Sequence, residues 1–309
     1  MNYFKPSTEG YKPNQGMLDC ILYHAEQAYK DVVWVCPDDF DTYAAFERAV
    51  KRLDMKSSPG IPYCFEKTTN GSWLGWNGIE CDAIQKQRLW FDVQNVFKGQ
   101  YDNVLRAFIK QEPHKRAKID SKRWRLIMAA PLAVQIAWHM CFDYMNDLEI
   151  DKAYTIPSQQ GLVLVSGGWK LFSDSWKARG LTCGLDKSAW DWTACDWMLK
   201  LDLQFRYRMG RGAAMARWLG HAEILYRQMF EDCLIQFSNG DTYRQRVPGI
   251  MKSGCVNTIS TNSHCQVFLH MAASILAGVD MYPLPVACGD DTLQHPAHCE
   301  DLDPYKVFG

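Results

Sequence analysis

The sequence predicts an α+β fold, with helices packed on one face of an antiparallel sheet. Three observations predict it. Helical periodicities alternate with short apolar runs bounded by turn residues. An Asn239-Gly240 pair sits between two such runs, as a β-hairpin requires. Two acidic elements, Asp186 to Asp191 and Asp290-Asp291, fall at the ends of apolar runs about a hundred residues apart.

Helices are expected over 17–29 and 39–53, the second with Asp39 or Asp41 as N-cap. Residues 56–63 are dense in turn-formers, and Trp- and Gly-rich sequence follows to Gly78. A helix is expected over 82–97. Strands are expected over 105–109 and 124–128, joined by a basic, proline-containing hairpin, then a helix over 131–147. A strand over 181–186 ends in Asp186, and a helix follows over 196–209. A hairpin is expected over 233–247, with Asn239-Gly240 as its left-handed turn. After the Pro248-Gly249 break, a long helix is expected to start at Ser253 and reach Leu276. The last hairpin pairs 284–288 with 292–295 around the turn at Asp290 and Asp291.

The 309 residues can bury a full core in one large domain or two modest ones. A net charge of −1 confines nucleic-acid binding to local patches. The 12 cysteines include no Cys-x-x-Cys pair, which argues against a zinc ribbon or redox dithiol. The opening residues lack the apolar core of a secretory leader, so reduced thiols in a cytosolic compartment are expected. The longest apolar stretch, 267–279, is too short to span a bilayer. His295, His298 and Cys299 match no common zinc spacing and are expected in a loop.

The chemistry concentrates in three ordered elements. Pairing the strands that end at Asp186 and at the Asp290-Asp291 turn brings three carboxylates together. Such clustering is unfavourable without a cation. Two Mg²⁺ ions about 3.5–4 Å apart can bind an attacking hydroxyl, an α-phosphate and a leaving pyrophosphate. Mg²⁺ prefers few carboxylates plus substrate phosphates. Between the acidic elements, Ser253 and Gly254 form a flexible loop feeding a helix, whose N-terminal amides can meet phosphate. Thr258 and Asn262, four apart, share a helix face that can point at a ribose. Asn262 and Asp191 together can read a 2′-OH. Residues 106–127 carry eight Lys/Arg against two acids, and their alternating apolar residues suggest a strand lining a triphosphate channel. Together these elements suggest a nucleotide polymerase.

The chain resembles the catalytic region of positive-strand RNA virus RNA-dependent RNA polymerases, in particular the sobemovirus-like group. Asp186 to Asp191 resembles motif A, Ser253-Gly254 through Asn262 motif B, and Cys288-Gly289-Asp290-Asp291 motif C. Residues 108–127 resemble motif F, and 58–63 motif G. The resemblance covers roughly 57–295. It implies a right-hand polymerase in which 1–56 is a helical part of the fingers, 57–179 the fingers proper and 180–309 the palm, with the thumb largely absent. It implies metal binding by Asp186, Asp290 and Asp291, with two Mg²⁺ ions that Mn²⁺ can replace. Lys110, Lys118 and Arg125 would contact the triphosphate of an incoming NTP. Asp191, Ser253, Gly254, Thr258 and Asn262 would surround its sugar, and Ser58 and Gly60 would touch template RNA. His114 stands where relatives often carry an arginine. The family continues beyond motif C, so the chain reads as a fragment, and Lys306 is not assignable as the general acid of motif D. RNA template, primer or nascent strand and a viral genome-linked protein are the implied partners. Host cytoplasm at membrane-associated replication complexes is the implied setting.

Three other readings compete. A reverse transcriptase would block the 2′-OH that Asp191 and Asn262 can accept. A non-catalytic RNA-binding module would not need every metal-binding acid. A two-metal nuclease would need neither a ribose-reading face nor a triphosphate channel.

Overall fold

The computed structural model describes residues 12–113 and 115–308, so His114 lies outside the described residues. Helix α1 (Gln15–Ala28) is capped by Asn14, whose side chain accepts from the Met17 amide at 2.9 Å. Strand β1 (Trp34–Val35) follows. Helix α2 (Tyr43–Val50) starts after Thr42, later than expected. Asp39 is drawn away from capping by a bidentate pair with Arg48 at 2.9 and 3.0 Å. The Trp- and Gly-rich stretch contains the short helix α3 (Asn70–Trp73), and α4 (Ala83–Phe97) starts where expected, with Asp82 as its cap.

Strands β2 (Val104–Ile109) and β3 (Leu126–Ala129) pair antiparallel, as expected. The basic connection between them is not a continued strand. It folds into a short exposed helix, α5 (Arg116–Asp120), with no buried residue.

Helix α6 (Leu132–Asp151) is buried along most of its length. Helix α7 (Gly168–Ala178) precedes β4 (Cys183–Leu185). Next come α8 (Trp190–Thr193), α9 (Asp196–Met209), β5 (Gly210–Arg211) and α10 (Met215–Phe230). Sequence reading did not place α7 or α10.

Strands β6 (Leu234–Gln236) and β7 (Thr242–Arg244) form the expected hairpin. Its turn differs from the expected one. Phe237 bonds Asp241 backbone to backbone across a three-residue loop, and Gly240, not Asn239, takes the positive φ. Helix α11 (Thr258–Ala277) is followed by β8 (Val286–Cys288), β9 (Asp291–Gln294) and α12 (Asp303–Phe308).

The α+β class holds, but the strands divide among three sheets among the described residues. One is the antiparallel β4-β9-β8. The second runs β3-β2-β6-β7, with β2 and β6 parallel. The third is the parallel pair β1-β5. The β6–β7 hairpin thus joins the sheet of 104–129 across the boundary expected near Gly180.

The core lies between α6, α9, α10 and α11. Trp138 and Phe142 of α6 meet Trp218, Tyr226 and Phe230 of α10, with ring centroids 4.7 to 6.0 Å apart along the cluster. Helix α11 is buried on nearly every side, polar residues included. A helix buried all round cannot shift without disturbing every neighbour, which suits it to fix a site at its N-terminal end.

Candidate active site

The β8–β9 hairpin pairs Cys288 with Asp291, leaving Gly289 and Asp290 as its two turn residues. Gly289 has φ +67°, a conformation that glycine adopts without steric cost. Its amide donates to Ser263 Oγ of α11 at 3.0 Å, so the long helix supports the acidic turn. Strand β4 lies along β9 in a register that pairs Leu185 with Thr292. Extending that register one residue sets Asp186 opposite Asp291. The register therefore brings the three aspartates to one end of the small sheet.

Their electrostatics agree. Burial pushes the Asp290 carboxyl above its ordinary range, and the charges of Asp291 and Asp186 add to the effect, with Arg125 opposing. Asp191 is also raised, first by burial and then by the Asp290 charge. Lys187 is half-buried beside the cluster, its ammonium donating to Thr292 Oγ at 3.1 Å. Burial lowers its pKa against the pull of Asp186, Asp290 and Asp291. Among the described residues no three His, Cys, Asp or Glu side chains converge as a ready-made metal cage. The carboxylates are adjacent without yet sharing one centre.

Asp191 lies in the first turn of α8 and hydrogen-bonds the Asn262 amide. Trp190, which sequence reading passed over, fixes that amide by donating its indole N–H to Asn262 Oδ1 at 2.9 Å. The amide orientation follows, with its NH₂ toward Asp191.

Ser253 and Gly254 do not start the helix. They lie in a loop, and α11 begins at Thr258 behind Asn257. The residues between them close a turn of their own, in which Cys255 donates its backbone N–H to Lys252 O at 2.9 Å. Ser253 Oγ donates to Leu126 O at 3.2 Å. Gly254 presses so close to β3 that an added Cβ would sit 2.2 Å from Met128 O. Thr258 donates its hydroxyl to Lys252 O and Cys255 O, so it closes the loop rather than facing outward.

In the basic stretch, Glu112 pairs with Lys110 at 3.1 Å and with Arg125 at 2.7 Å. Lys118 is exposed on α5. Gly60 has φ +67°, and an added Cβ would meet Ala130 O at 2.4 Å. Its amide faces Ser58 Oγ at 3.4 Å, and Pro59 O accepts from the Leu132 amide. The turn at 58–60 is thereby tied to the junction between β3 and α6. His298 Nε2 donates to Asp280 O, Cys299 contacts His295 O, and Lys306 pairs with Asp303.

Behind α11 lies a fully buried polar cluster that the sequence did not reveal. Asp202 and Arg206 of α9 form an ion pair at 3.1 Å, with side chains 0% and 1% exposed. Asp202 also accepts from Tyr226, Thr261 and His264 at 2.6 to 2.7 Å. His264 lies 2.5 Å from Glu149, close enough for an ion pair but poorly aligned as a hydrogen bond. Burial opposes the charge on His264, yet Glu149 and Asp202 outweigh it and raise the pKa. Two carboxylates thus face a guanidinium and an imidazole. The cluster locks the inner face of α11 to α6, α9 and α10.

The family model described as viral RNA-dependent RNA polymerase matches residues 39–277. The chain is 30% identical to the replicase polyprotein P2AB of Southern cowpea mosaic virus over 81% of its own length and 27% of the relative's. It is 34% identical to protein P2-P3 of Poinsettia latent virus, over 81% of this chain and 24% of that one. Protein P1-P2 of Potato leafroll virus is 28% identical over 84% of this chain and 26% of its own. The chain therefore spans about a quarter of the length of these relatives. In fold it resembles the Sicinivirus 3Dpol RNA-dependent RNA polymerase, with a TM-score of 0.71 and 17% identity, over 94% of this chain and 61% of that one.

Proposed function

We propose that this chain, which belongs to the viral RNA-dependent RNA polymerase family, carries the catalytic centre for template-directed RNA synthesis from NTPs. The observation that carries the reading is the register of β4, β9 and β8, which gathers Asp186, Asp290 and Asp291 at one sheet end. In the reaction, a primer or nascent-strand 3′-hydroxyl attacks the α-phosphate of an NTP and pyrophosphate leaves.

The family depends in general on a divalent metal. The donor chemistry here fits one: three carboxylates at one sheet end, with Asp290 held above its ordinary pKa by burial and by its acidic neighbours. We assign Asp186 and Asp290 as principal ligands and Asp291 as support, for two Mg²⁺ ions that Mn²⁺ can replace. When bound, the pair supplies Lewis-acid stabilisation of the attacking and leaving oxygens.

The remaining roles belong to the chain's own groups. Asp191, oriented by Asn262 and through it by Trp190, accepts a hydrogen bond from a ribose 2′-OH and favours NTPs over dNTPs. Lys110 and Arg125, with Lys118 nearby in sequence, neutralise the triphosphate once it competes with Glu112 for them. Ser253 and Gly254 border the sugar, and Ser58 and Gly60 the template. We assign 1–179 to fingers, joined by the β6–β7 hairpin, and the rest from Gly180 to palm. Cytoplasmic replication complexes at membranes, with RNA and a genome-linked protein as partners, are the setting we propose from the family. No described helix is long and apolar enough to cross a membrane.

The test is incorporation of labelled NTPs on an RNA primer–template with Mg²⁺. Extension that needs the template, and that prefers NTPs, is expected. Preference for dNTPs points to a reverse transcriptase, and RNA binding indifferent to Mg²⁺ and to the three aspartates points to a binding module.

A further inference from the structure

Lys252 borders the Ser253-Gly254 loop, and the proposed reaction gives its ammonium no role. It is 0% exposed. Its ammonium donates to Ile250 O at 2.8 Å, to Gly249 O at 3.2 Å and to Gln245 Oε1, and it lies over the Phe230 ring at 5.6 Å. The titratable groups facing it are the thiols of Cys233 and Cys255. Burial raises the pKa of both thiols, Cys255 to about 12, so they stay neutral. A buried cation without an anionic partner is unfavourable unless its hydrogen bonds are required.

The backbone shows what they hold. Gly249 and Ile250 are consecutive residues at positive φ, +107° and +60°. The second is β-branched, for which the left-handed region is strained. Both of their carbonyls meet the same ammonium. Gln245 closes the ring from the other side, its amide N–H₂ donating to Gly249 O at 2.9 Å and to Phe230 O and Val247 O at 2.7 Å each. The segment so shaped bonds directly to α8, with Ile250 N donating to Ala194 O and Met251 N to Asp191 O. The Lys252 carbonyl in turn accepts from the Cys255 amide and the Thr258 hydroxyl, which close the Ser253-Gly254 loop and start α11.

We propose that Lys252 is a positioning residue of this site: by gathering the Gly249, Ile250 and Gln245 oxygens, its ammonium holds residues 249–258 in the shape that presents Asp191, Ser253 and Gly254 to nucleotide and template. The functional half of this inference rests on the polymerase reading, and the structural half does not. The ammonium pKa is pushed down to about 8 by burial. As a neutral amine it would offer two N–H donors to three acceptors.

The experiment compares the full chain with Lys252→Met, Ile250→Gly and the double variant. Amide hydrogen exchange over 249–258 and KM for NTP are the readouts. Lys252→Met is expected to speed exchange in that segment and raise KM, each by about tenfold, the scale of one or two net hydrogen bonds. Exchange in α6 and α9 should not change. Ile250→Gly alone should stay close to wild type, and in the double variant it should recover part of the loss, because glycine takes φ +60° without strain. Unchanged exchange in Lys252→Met, or a loss that Ile250→Gly does not relieve, overturns the inference.

If Lys252→Met does not fold, the wild type is measured across pH 7 to 9.5, around the lysine pKa of about 8. Exchange over 249–258, corrected for its intrinsic pH dependence, should slow through that range, because opening releases a lysine whose pKa is depressed only while the segment is closed. The same lysine adds to thermal stability as pH rises, since its pKa drops on folding. Exchange flat with pH overturns the inference. Should the wild type incorporate no nucleotide while the exchange responds as expected, the polymerase reading fails and the clamp stands.

Discussion

Arg206→Met removes the guanidinium from a buried cluster that sets it and the His264 imidazole against the carboxylates of Asp202 and Glu149. Arg206 bonds Asp202 through Nε, Asn146 Oδ1 at 3.0 Å through Nη1 and Ser260 Oγ at 2.6 Å through Nη2. Methionine fills much of the volume and satisfies none of these partners. Asp202 and Glu149 then face His264 alone, at positions 0% exposed. Breaking a buried ion pair on one side costs about 3–5 kcal/mol. Stranded acceptors at Asn146 and Ser260, about 1–3 kcal/mol each, put the total at the upper end. At roughly 2–4 °C per kcal/mol, the melting temperature should fall by about 10 °C or more. Thermal unfolding followed by circular dichroism measures it. The double variant Arg206→Met/Asp202→Leu should lose less than the single one, since the uncompensated anion leaves with its partner. A single variant within about 1 kcal/mol of wild type, well below the cost of breaking a buried pair, or a double variant worse than the single, would refute the reasoning.

Other outcomes follow from the same geometry. Trp190→Phe removes the indole bond to Asn262 and should reduce discrimination between NTP and dNTP by about tenfold, the value of one buried hydrogen bond, read from the ratio of kcat/KM values. Gly254→Ala brings a Cβ to 2.2 Å from Met128 O, so it should either fail to close the loop on β3 or lose about 1–3 kcal/mol by denaturant unfolding. The raised Asp290 pKa makes its charge unfavourable in the folded chain. As pH falls from neutrality toward that raised value, activity should decline while this group's contribution to stability grows, so the activity profile and the melting curve should move in opposite directions. His264 behaves in reverse. Its pKa is raised on folding, so its contribution is fully present below the unfolded value of about 6.5 and is lost as pH rises through the folded one. His264→Gln should flatten that alkaline loss of melting temperature.

Local chemistry was legible in the sequence wherever it was decided locally. Asp82 caps α4, and the acidic turn forms between strands whose partners lie a few residues apart. The meeting of Asp186 with that turn was legible because both elements end apolar runs that must pair somewhere. Three features were not legible, each for a physical reason. The start of α11 moves from Ser253 to Thr258 because the Lys252 carbonyl captures the Cys255 amide and the Thr258 hydroxyl, an arrangement set by a buried ammonium rather than by capping propensity. The pairing of β2 with β6 joins residues about 130 apart, and no local pattern encodes a parallel partner. Glu149, Asp202, Arg206 and His264 carry the residue types of a solvated face. Only the packing of α6, α9 and α11 shows that they neutralise one another in the interior.

The central claim is tested most directly by primer extension with Mg²⁺ on an RNA template, wild type against Asp290→Asn. Wild type should extend the primer as the template dictates. The variant should not, while melting no lower than wild type, because the substitution removes a charge that burial and two acidic neighbours already disfavour. Extension retained by a folded Asp290→Asn chain would contradict the account.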